Sequence, residues 1–188
     1  EEYQKLVKVQ PRNSEHHLRL AQVYRDLRRF REARGSLREA EVLDPQSLEI
    51  KYNDVLLLEA EGKTPEAVQV LTKLLDATAK DSYTPREERN RAMFQEQLGM
   101  LHKTLEDYAK AKQAFRSMGE ADARAKPRSW AHLIEVARAA RRYDQAKSLA
   151  ASASEEFPDS APLAQLRASV LAETGDCQQG AKILQALL

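Results

Sequence analysis

The chain of 188 residues is 42% hydrophobic and 31% charged, and its 30 basic residues nearly balance its 29 acidic ones. The apolar fraction is sufficient for a core and excludes wholesale disorder, and no apolar run approaches the ~20 residues of a membrane span. The single cysteine excludes an internal disulfide and a multi-cysteine zinc site. The near-zero net charge gives no field that would attract nucleic acid or anionic lipid.

A short pattern of two residues recurs along the chain. Its first residue is aromatic in the clear copies, and its second, three positions later, is small. The copies are Phe30–Ala33, Thr64–Ala67, Tyr108–Ala111, Tyr143–Ala146 and Cys177–Gly180, of which the second and fifth are weak. The small residues are separated by 34, 44, 35 and 34 positions. These spacings indicate a repeat of about 34 residues that is interrupted once by an insertion of about ten.

Each repeat predicts two helices joined by a short turn. Every small residue has an apolar companion four positions later, so both lie on one helical face. A second apolar helical pattern lies upstream of each copy. Polar segments between the two patterns predict turns at 27–29, 61–63, 105–107, 140–142 and 174–176. The predicted helix pairs are 14–44, 47–79, 85–119, 127–157 and 161–188. Small residues are expected where antiparallel helices approach within ~8–10 Å.

The insertion and the chain ends predict where the third helix pair begins and whether the chain is part of a longer protein. Thr84, Pro85 and Glu87 form a helix-start pattern with an N-cap, a first-turn proline and a capping-box glutamate, so the third pair begins early, at about 85. Residues 1–13 are interpreted as a partial unit. Because the chain begins within a unit and stops on leucines without a polar capping helix, we expect it to be a fragment of a longer protein. In the alternative, a partner covers the exposed end, or another copy of the chain does so by self-association.

The sequence resembles the tetratricopeptide repeat family. In the first repeat the resemblance rests on Leu20, Ala21, Tyr24, Ala33, Leu37, Ala40 and Pro45. In the third it rests on Leu98, Gly99, Tyr108, Ala111 and Phe115, and in the fourth on Trp130, Leu133, Tyr143, Ala146 and Pro158. The second and fifth repeats depart from the pattern, with Asp54 and Arg167 where the family prefers leucine.

The resemblance implies an all-α fold, a right-handed superhelical solenoid of about five helix-turn-helix repeats. The whole chain, 1–188, is then a single array. Its units are 14–47, 48–81, 92–125 with the first helix extended back to about 85, 127–160 and 161–188, after the partial unit 1–13.

No catalytic, metal or cofactor site is predicted, so the chain is not expected to be an enzyme. The four histidines lack a zinc-ligand spacing, and His102 occupies the packing position of Tyr24. Cys177 stands where other repeats have an aromatic residue and is interpreted as a small core residue. Arginine pairs at the first and fourth turns are separated by Lys63 and by an acidic turn, so a continuous phosphate-binding stripe is interrupted and no nucleic-acid partner is expected.

The resemblance implies that the first helix of each repeat lines a concave groove. The predicted groove residues are Leu18, Gln22, Arg25, Tyr52, Asn53, Leu56, Met93, Glu96, Gln97, Met100 and His132. An apolar strip with a polar rim suits recognition of a peptide or helix, and the amide of Asn53 is expected to bridge a ligand backbone. In the alternative, Leu56 and Met100 pack between neighbouring first helices. Leu18 and Gln22 stand where chaperone-binding members hold a carboxylate with lysine and asparagine, so no such clamp is expected.

The leading functional hypothesis is a non-catalytic protein–protein interaction module that binds a peptide or helical segment in this groove. The alternative is a structural spacer or assembly scaffold within a larger protein, such as one of a bacterial envelope or secretion system. The arginine- and alanine-rich composition favours a bacterial source. The compartment, cytoplasm or periplasm, is left open by the sequence, which shows no targeting segment.

Overall fold

The computed structural model describes residues 2–187, and in that range all regular secondary structure is helical, with no strand. The helices are α1 (Glu2–Val9), α2 (Ser14–Asp26), α3 (Phe30–Leu43), α4 (Leu48–Ala60), α5 (Thr64–Ala77), α6 (Pro85–Thr104), α7 (Tyr108–Ala121), α8 (Lys126–Ala139), α9 (Tyr143–Glu156), α10 (Ala161–Glu173) and α11 (Cys177–Gln185). A 3₁₀ helix, Ala123–Ala125, precedes α8. The chain forms two compact units; unit 1 ends at Ala79 and unit 2 begins at Lys80.

All five predicted turns are confirmed, and all five use the same backbone geometry. The middle residue of each turn has a positive φ: Arg28 57°, Gly62 78°, Glu106 57°, Arg141 55° and Gly175 91°. The amide of the next residue donates to a carbonyl five positions back, as in the 2.8 Å bond from Arg29 to Tyr24, and the other four turns repeat it at 2.8–2.9 Å. This is the Schellman arrangement, which satisfies the last carbonyls of a helix.

Helix α6 is the longest, with 20 residues, and it begins at the predicted position. The Thr84 hydroxyl accepts the amide of Glu87 at 3.4 Å, and the Glu87 carboxylate accepts the amide of Thr84 at 2.9 Å, which confirms the capping box. The Lys80 ammonium pairs with the same carboxylate, and these contacts lower the pKa of Glu87 to about 2. The insertion is therefore accommodated by residues 79–84 and by the early start of α6.

In unit 1, α2 and α3 pack as an antiparallel pair and α4 packs beside them. Ala33 is fully buried, as is Ala67 in the pair of α4 and α5, which confirms the predicted close crossings. Two ion pairs of Arg34 connect α3 to α4 and to the turn after α4. The Arg34 guanidinium pairs with Glu61 at 2.8 Å and with Asp54 at 3.3 Å, and it lowers the pKa of Glu61.

Unit 2 contains the remaining three helix pairs and two adjoining core clusters. Trp130 and Leu149 pack against both clusters and so connect α8 and α9 to each. Ala111, Ala146 and Gly180 are buried, as predicted. A Cβ atom on Gly180 would lie 2.8 Å from the carbonyl oxygen of Ala168, so only glycine allows α10 and α11 to approach this closely.

One core assignment is wrong, that of Cys177, which is exposed. It is the first residue of α11, and the corresponding Tyr143 at the start of α9 is itself 44% exposed. The opening position of a second helix is thus only partly covered in this chain. Across residues 2–187, no helix combines the length and the apolar character that crossing a membrane requires. The right-handed superhelix and the single continuous array stay predictions.

Candidate functional site

The predicted groove residues of unit 1 lie on α2 and α4, but Leu18 is not available to a partner. It is only 3% exposed and belongs to the core cluster that also contains Ala21 and Ile50. Leu18 lies one turn before Ala21, on the same face of α2. Its expected exposure is therefore wrong, because this face of α2 packs against its neighbouring helices.

Asn53 is 6% exposed, and its amide is already used within unit 1. Its Oδ1 accepts from Gln22 at 3.1 Å and from Arg25 at 3.3 Å, while its Nδ2 donates to the backbone carbonyl of Glu49 at 2.8 Å. A side-chain amide has few hydrogen-bonding groups, so the expected bridge to a ligand backbone is wrong. Asn53 instead ties α4 to α2, and the half-buried Tyr52 and Leu56 lie beside it on α4.

In unit 2, Met93 and Met100 are each 39% exposed and lie seven residues apart on one side of α6. Between them Glu96 connects α6 to α8, because its Oε1 lies 2.9 Å from both Arg128 Nε and His132 Nε2. The His132 ring also stacks on the buried Phe115 ring, with the centroids 4.4 Å apart. The structure thus gathers four predicted residues of unit 2, with half-buried Gln97 on the same helix.

The titratable groups with shifted pKa values in unit 2 are either buried in packing or paired with an opposite charge. Throughout residues 2–187, no three histidine, cysteine or acidic side chains lie where they could hold a metal ion together. His102 is buried, as its predicted packing role requires, and burial lowers its pKa. The carboxyls of Asp107, Asp122 and Glu156 have lowered pKa values because each accepts from a neighbouring cation, Lys110, Arg124 and Lys126 respectively.

The sequence-based prediction missed a cavity of about 500 Å³ in unit 2, on the side of the second helices. Trp130, Leu133 and Leu149 line it, together with residues of α7 and of the 3₁₀ helix. The sequence signal is the 35-residue spacing between the third and fourth repeats. It places one extra residue next to this cavity, in the segment where the 3₁₀ helix forms.

Models of the tetratricopeptide repeat match this sequence in both units. One matches residues 1–47 and 18–82 and another matches residues 94–117, which together are more than half of the chain. The chain belongs to the tetratricopeptide repeat family. Members of this family bind protein or peptide partners and are generally non-catalytic. No curated protein sequence matches the chain.

Solved structures of tetratricopeptide repeat proteins share the fold at low sequence identity. PilF of Pseudomonas aeruginosa is 19% identical, with a TM-score of 0.68 over 97% of this chain and 79% of that one. PilW, described as a type IV pilus biogenesis factor, is 18% identical, with a TM-score of 0.71 over 98% and 81%. YrrB, described as having an unusual peptide-binding site, is 15% identical, with a TM-score of 0.61 over 98% and 90%. The chain therefore has the all-α fold of a helical repeat solenoid, and the predicted bacterial source fits these neighbours.

Proposed function

We propose that this tetratricopeptide repeat chain is a non-catalytic interaction module that binds a peptide or helical segment on the faces of its first helices. The observation that carries the proposal is the exposure of Met93 and Met100 on one side of α6. Glu96, between the two methionines along α6, is held by Arg128 and His132 of α8, and the His132 ring stacks on Phe115.

This face combines apolar contact with oriented polar groups. Methionine is unbranched and polarisable, so it adapts to varied apolar side chains of a partner. Glu96, Gln97 and His132 form a polar margin beside the two methionines, and such a margin fixes the orientation of a bound segment. In unit 1, Gln22, Arg25, Tyr52 and Leu56 are the corresponding contacts. Leu18 and Asn53 support that face from beneath.

The test is a selection of peptides by display against the purified chain, followed by anisotropy measurements with the enriched peptides. Replacing both Met93 and Met100 by aspartate should weaken binding by about ten-fold or more, because both methionines are proposed apolar contacts. Replacing both Tyr52 and Leu56 by aspartate tests whether the first-helix face of unit 1 also binds the peptide.

Val42→Asp is the matched control, because Val42 is 78% exposed and lies on the second helix α3. Circular dichroism verifies that each variant keeps its helical content. Equal weakening by Val42→Asp, or no enrichment of any peptide, would reject the first-helix faces as the binding surface.

The alternative function, an assembly scaffold within a larger bacterial machine, is favoured by the structural likeness to PilW. A scaffold holds several partners at once, whereas a peptide receptor needs one. Sedimentation of the chain with its captured partners distinguishes the two: a complex with several different partners that survives the methionine double change supports the scaffold.

A further inference from the structure

The cavity on the side of the second helices is bounded by α7, the 3₁₀ helix, α8 and α9, all within unit 2. Its volume of about 500 Å³ is in the range of sites that accept a ligand or a large side chain. Three of its lining residues, Gly119, Ala123 and Ser129, are small. Trp130 lies about 200° around α8 from Arg128, so this cavity is on the opposite face from Glu96 and His132.

The walls of the cavity are held in place before any ligand arrives. The indole Nε1 of Trp130 donates to Glu156 at 2.8 Å, and Glu156 also pairs with Lys126. On the other side, the Ser129 hydroxyl donates to the carbonyl of Phe115, and a Cβ atom on Gly119 would lie 3.0 Å from that hydroxyl oxygen. A preformed apolar wall loses little conformational entropy on binding.

Of three cations in this part of unit 2, Arg116 lines the cavity and the other two are outside its lining. Lys112 is one turn before Arg116 on the same face of α7, and Arg142 immediately precedes α9. Within residues 2–187, no side chain forms an ion pair or hydrogen bond with any of these three cations. Burial lowers the pKa of Lys112, and the charges of Arg116 and Arg142 lower it further. Glu120, the acidic residue that lines the cavity, is one turn further along α7, away from Lys112.

We propose that this cavity is a second docking site, which takes a leucine- or phenylalanine-sized side chain from a peptide segment with acidic residues next to it. The apolar side chain lies against Trp130, and the acidic residues pair with Arg116, Lys112 and Arg142. Ion pairs of this kind are charge-assisted and orient the segment. Three cations call for more than one carboxylate, which a peptide supplies and a fatty acid does not.

The test uses the intrinsic fluorescence of Trp130, the only tryptophan of the chain. The probe is a blocked synthetic peptide with one phenylalanine between two pairs of glutamates, and it contains no tryptophan or tyrosine. We expect a saturable change in the Trp130 emission that weakens as salt is raised. Matched peptides with alanine in place of phenylalanine, or lysine in place of glutamate, should bind at least about ten-fold more weakly.

Two variants test the site from the protein side. Ala123→Leu fills the cavity, and Arg116→Glu reverses the adjacent charge; both residues are exposed, so neither change removes a core side chain. Each should weaken the peptide about ten-fold. Lys110→Glu, the same charge change elsewhere on α7 at an exposed position, should leave binding unaltered. The double change of Met93 and Met100 to aspartate should also leave binding of this peptide unaltered. That result would show that the cavity binds independently of the first-helix faces.

Several results would overturn the proposal. One is that the Trp130 emission does not change at millimolar peptide. Another is that the alanine peptide binds as tightly as the phenylalanine peptide. A third is that the peptide still binds to both the Ala123→Leu and the Arg116→Glu variants. Tighter binding of decanoate or of single-stranded DNA than of the peptide would assign the site to another ligand. Self-association that is abolished by Ala123→Leu would assign it to a second copy of the chain. If Ala123→Leu does not fold, Arg116→Glu decides the outcome alone.

Discussion

Gly99 illustrates how one residue sets the distance between two helices. A Cβ atom there would lie 2.6 Å from Cε1 of Phe115, which is closer than carbon atoms can approach. The Phe115 ring is fully buried and stacked on His132, so it has little freedom to move aside. Helices α6 and α7 can therefore approach this closely only because position 99 has no side chain.

We predict that Gly99→Ala lowers the free energy of unfolding by ~1–3 kcal/mol, because it overpacks this crossing. Gly35→Ala is the matched control. Gly35 lies within α3 with nothing within 4 Å of its added Cβ, so the change should stabilise the chain by ~0.5–1 kcal/mol. Urea denaturation followed by circular dichroism measures both. A stabilisation by Gly99→Ala as large as that by Gly35→Ala would show that the Phe115 ring yields at no cost.

At this scale, the sequence predicts small buried residues better than it predicts binding residues. The alanines and the glycine at helix crossings were found because a fixed spacing reveals them. Leu18 and Asn53 were misplaced because helical periodicity identifies a face but not which neighbouring helix covers it. The burial of Asn53 depends on Gln22 and Arg25, which lie about one repeat earlier in the sequence.

Among the elements, the five turns repeat one backbone shape with different residues. Glycine occupies the positive-φ position in two turns, whereas Arg28, Glu106 and Arg141 occupy it in the others. A residue with a Cβ atom in the left-handed region costs roughly 1–2 kcal/mol, because the Cβ atom crowds the following carbonyl oxygen. Three turns of this chain therefore carry strain that glycine would relieve.

We predict that Arg141→Gly raises the unfolding free energy by up to ~1 kcal/mol and that Gly175→Ala lowers it by at least ~1 kcal/mol. Both turns are in unit 2, so the two variants are compared in one background. Arg141→Ala keeps the Cβ atom while removing the guanidinium group, and it should leave stability nearly unchanged. A gain in Arg141→Ala as large as in Arg141→Gly would assign the effect to charge instead of backbone shape.

Helix starts were predictable where a capping side chain precedes a proline, as at Thr84 and Pro85. The 3₁₀ helix before α8 was not predicted. The side chain of Asp122 caps its start, because Oδ1 accepts a hydrogen bond from the backbone amide of Arg124 at 3.0 Å. One aspartate without helical periodicity after it is a weak pattern, since aspartate also caps ordinary turns.

For the whole molecule, the main break in helical structure lies between the two compact units, at residues 79–84. The side chain of Lys80 is exposed there. Because exposed segments without helical hydrogen bonds are cleaved first, we predict that limited trypsin digestion cuts initially after Lys80. Mass spectrometry should then find the fragments 1–80 and 81–188 before any others.

The internal control is the pair Arg141 and Arg142, which lies in a hydrogen-bonded turn between packed helices and should be cut later. Lys80→Gln should remove the early cut. First cleavage at Arg141 or Arg142 would contradict the assignment of unit 2 as one compact body. The overall class of the molecule and the presence of an insertion after the second repeat were predictable from the repeat spacing. The division into two compact units at that insertion depends on tertiary contacts, which the spacing does not encode.

The positive-φ residue in each turn allows the helical hairpins of the chain to be counted without reference to amino-acid type. The matches to the family models cover residues 1–82 and 94–117, yet two of the five positive-φ turns, at Arg141 and Gly175, lie after residue 117. The amino-acid sequence of a hairpin can thus diverge beyond recognition by a family model while the positive φ angle of its turn is retained. In distant relatives, backbone angles would count hairpins that alignment of residues overlooks.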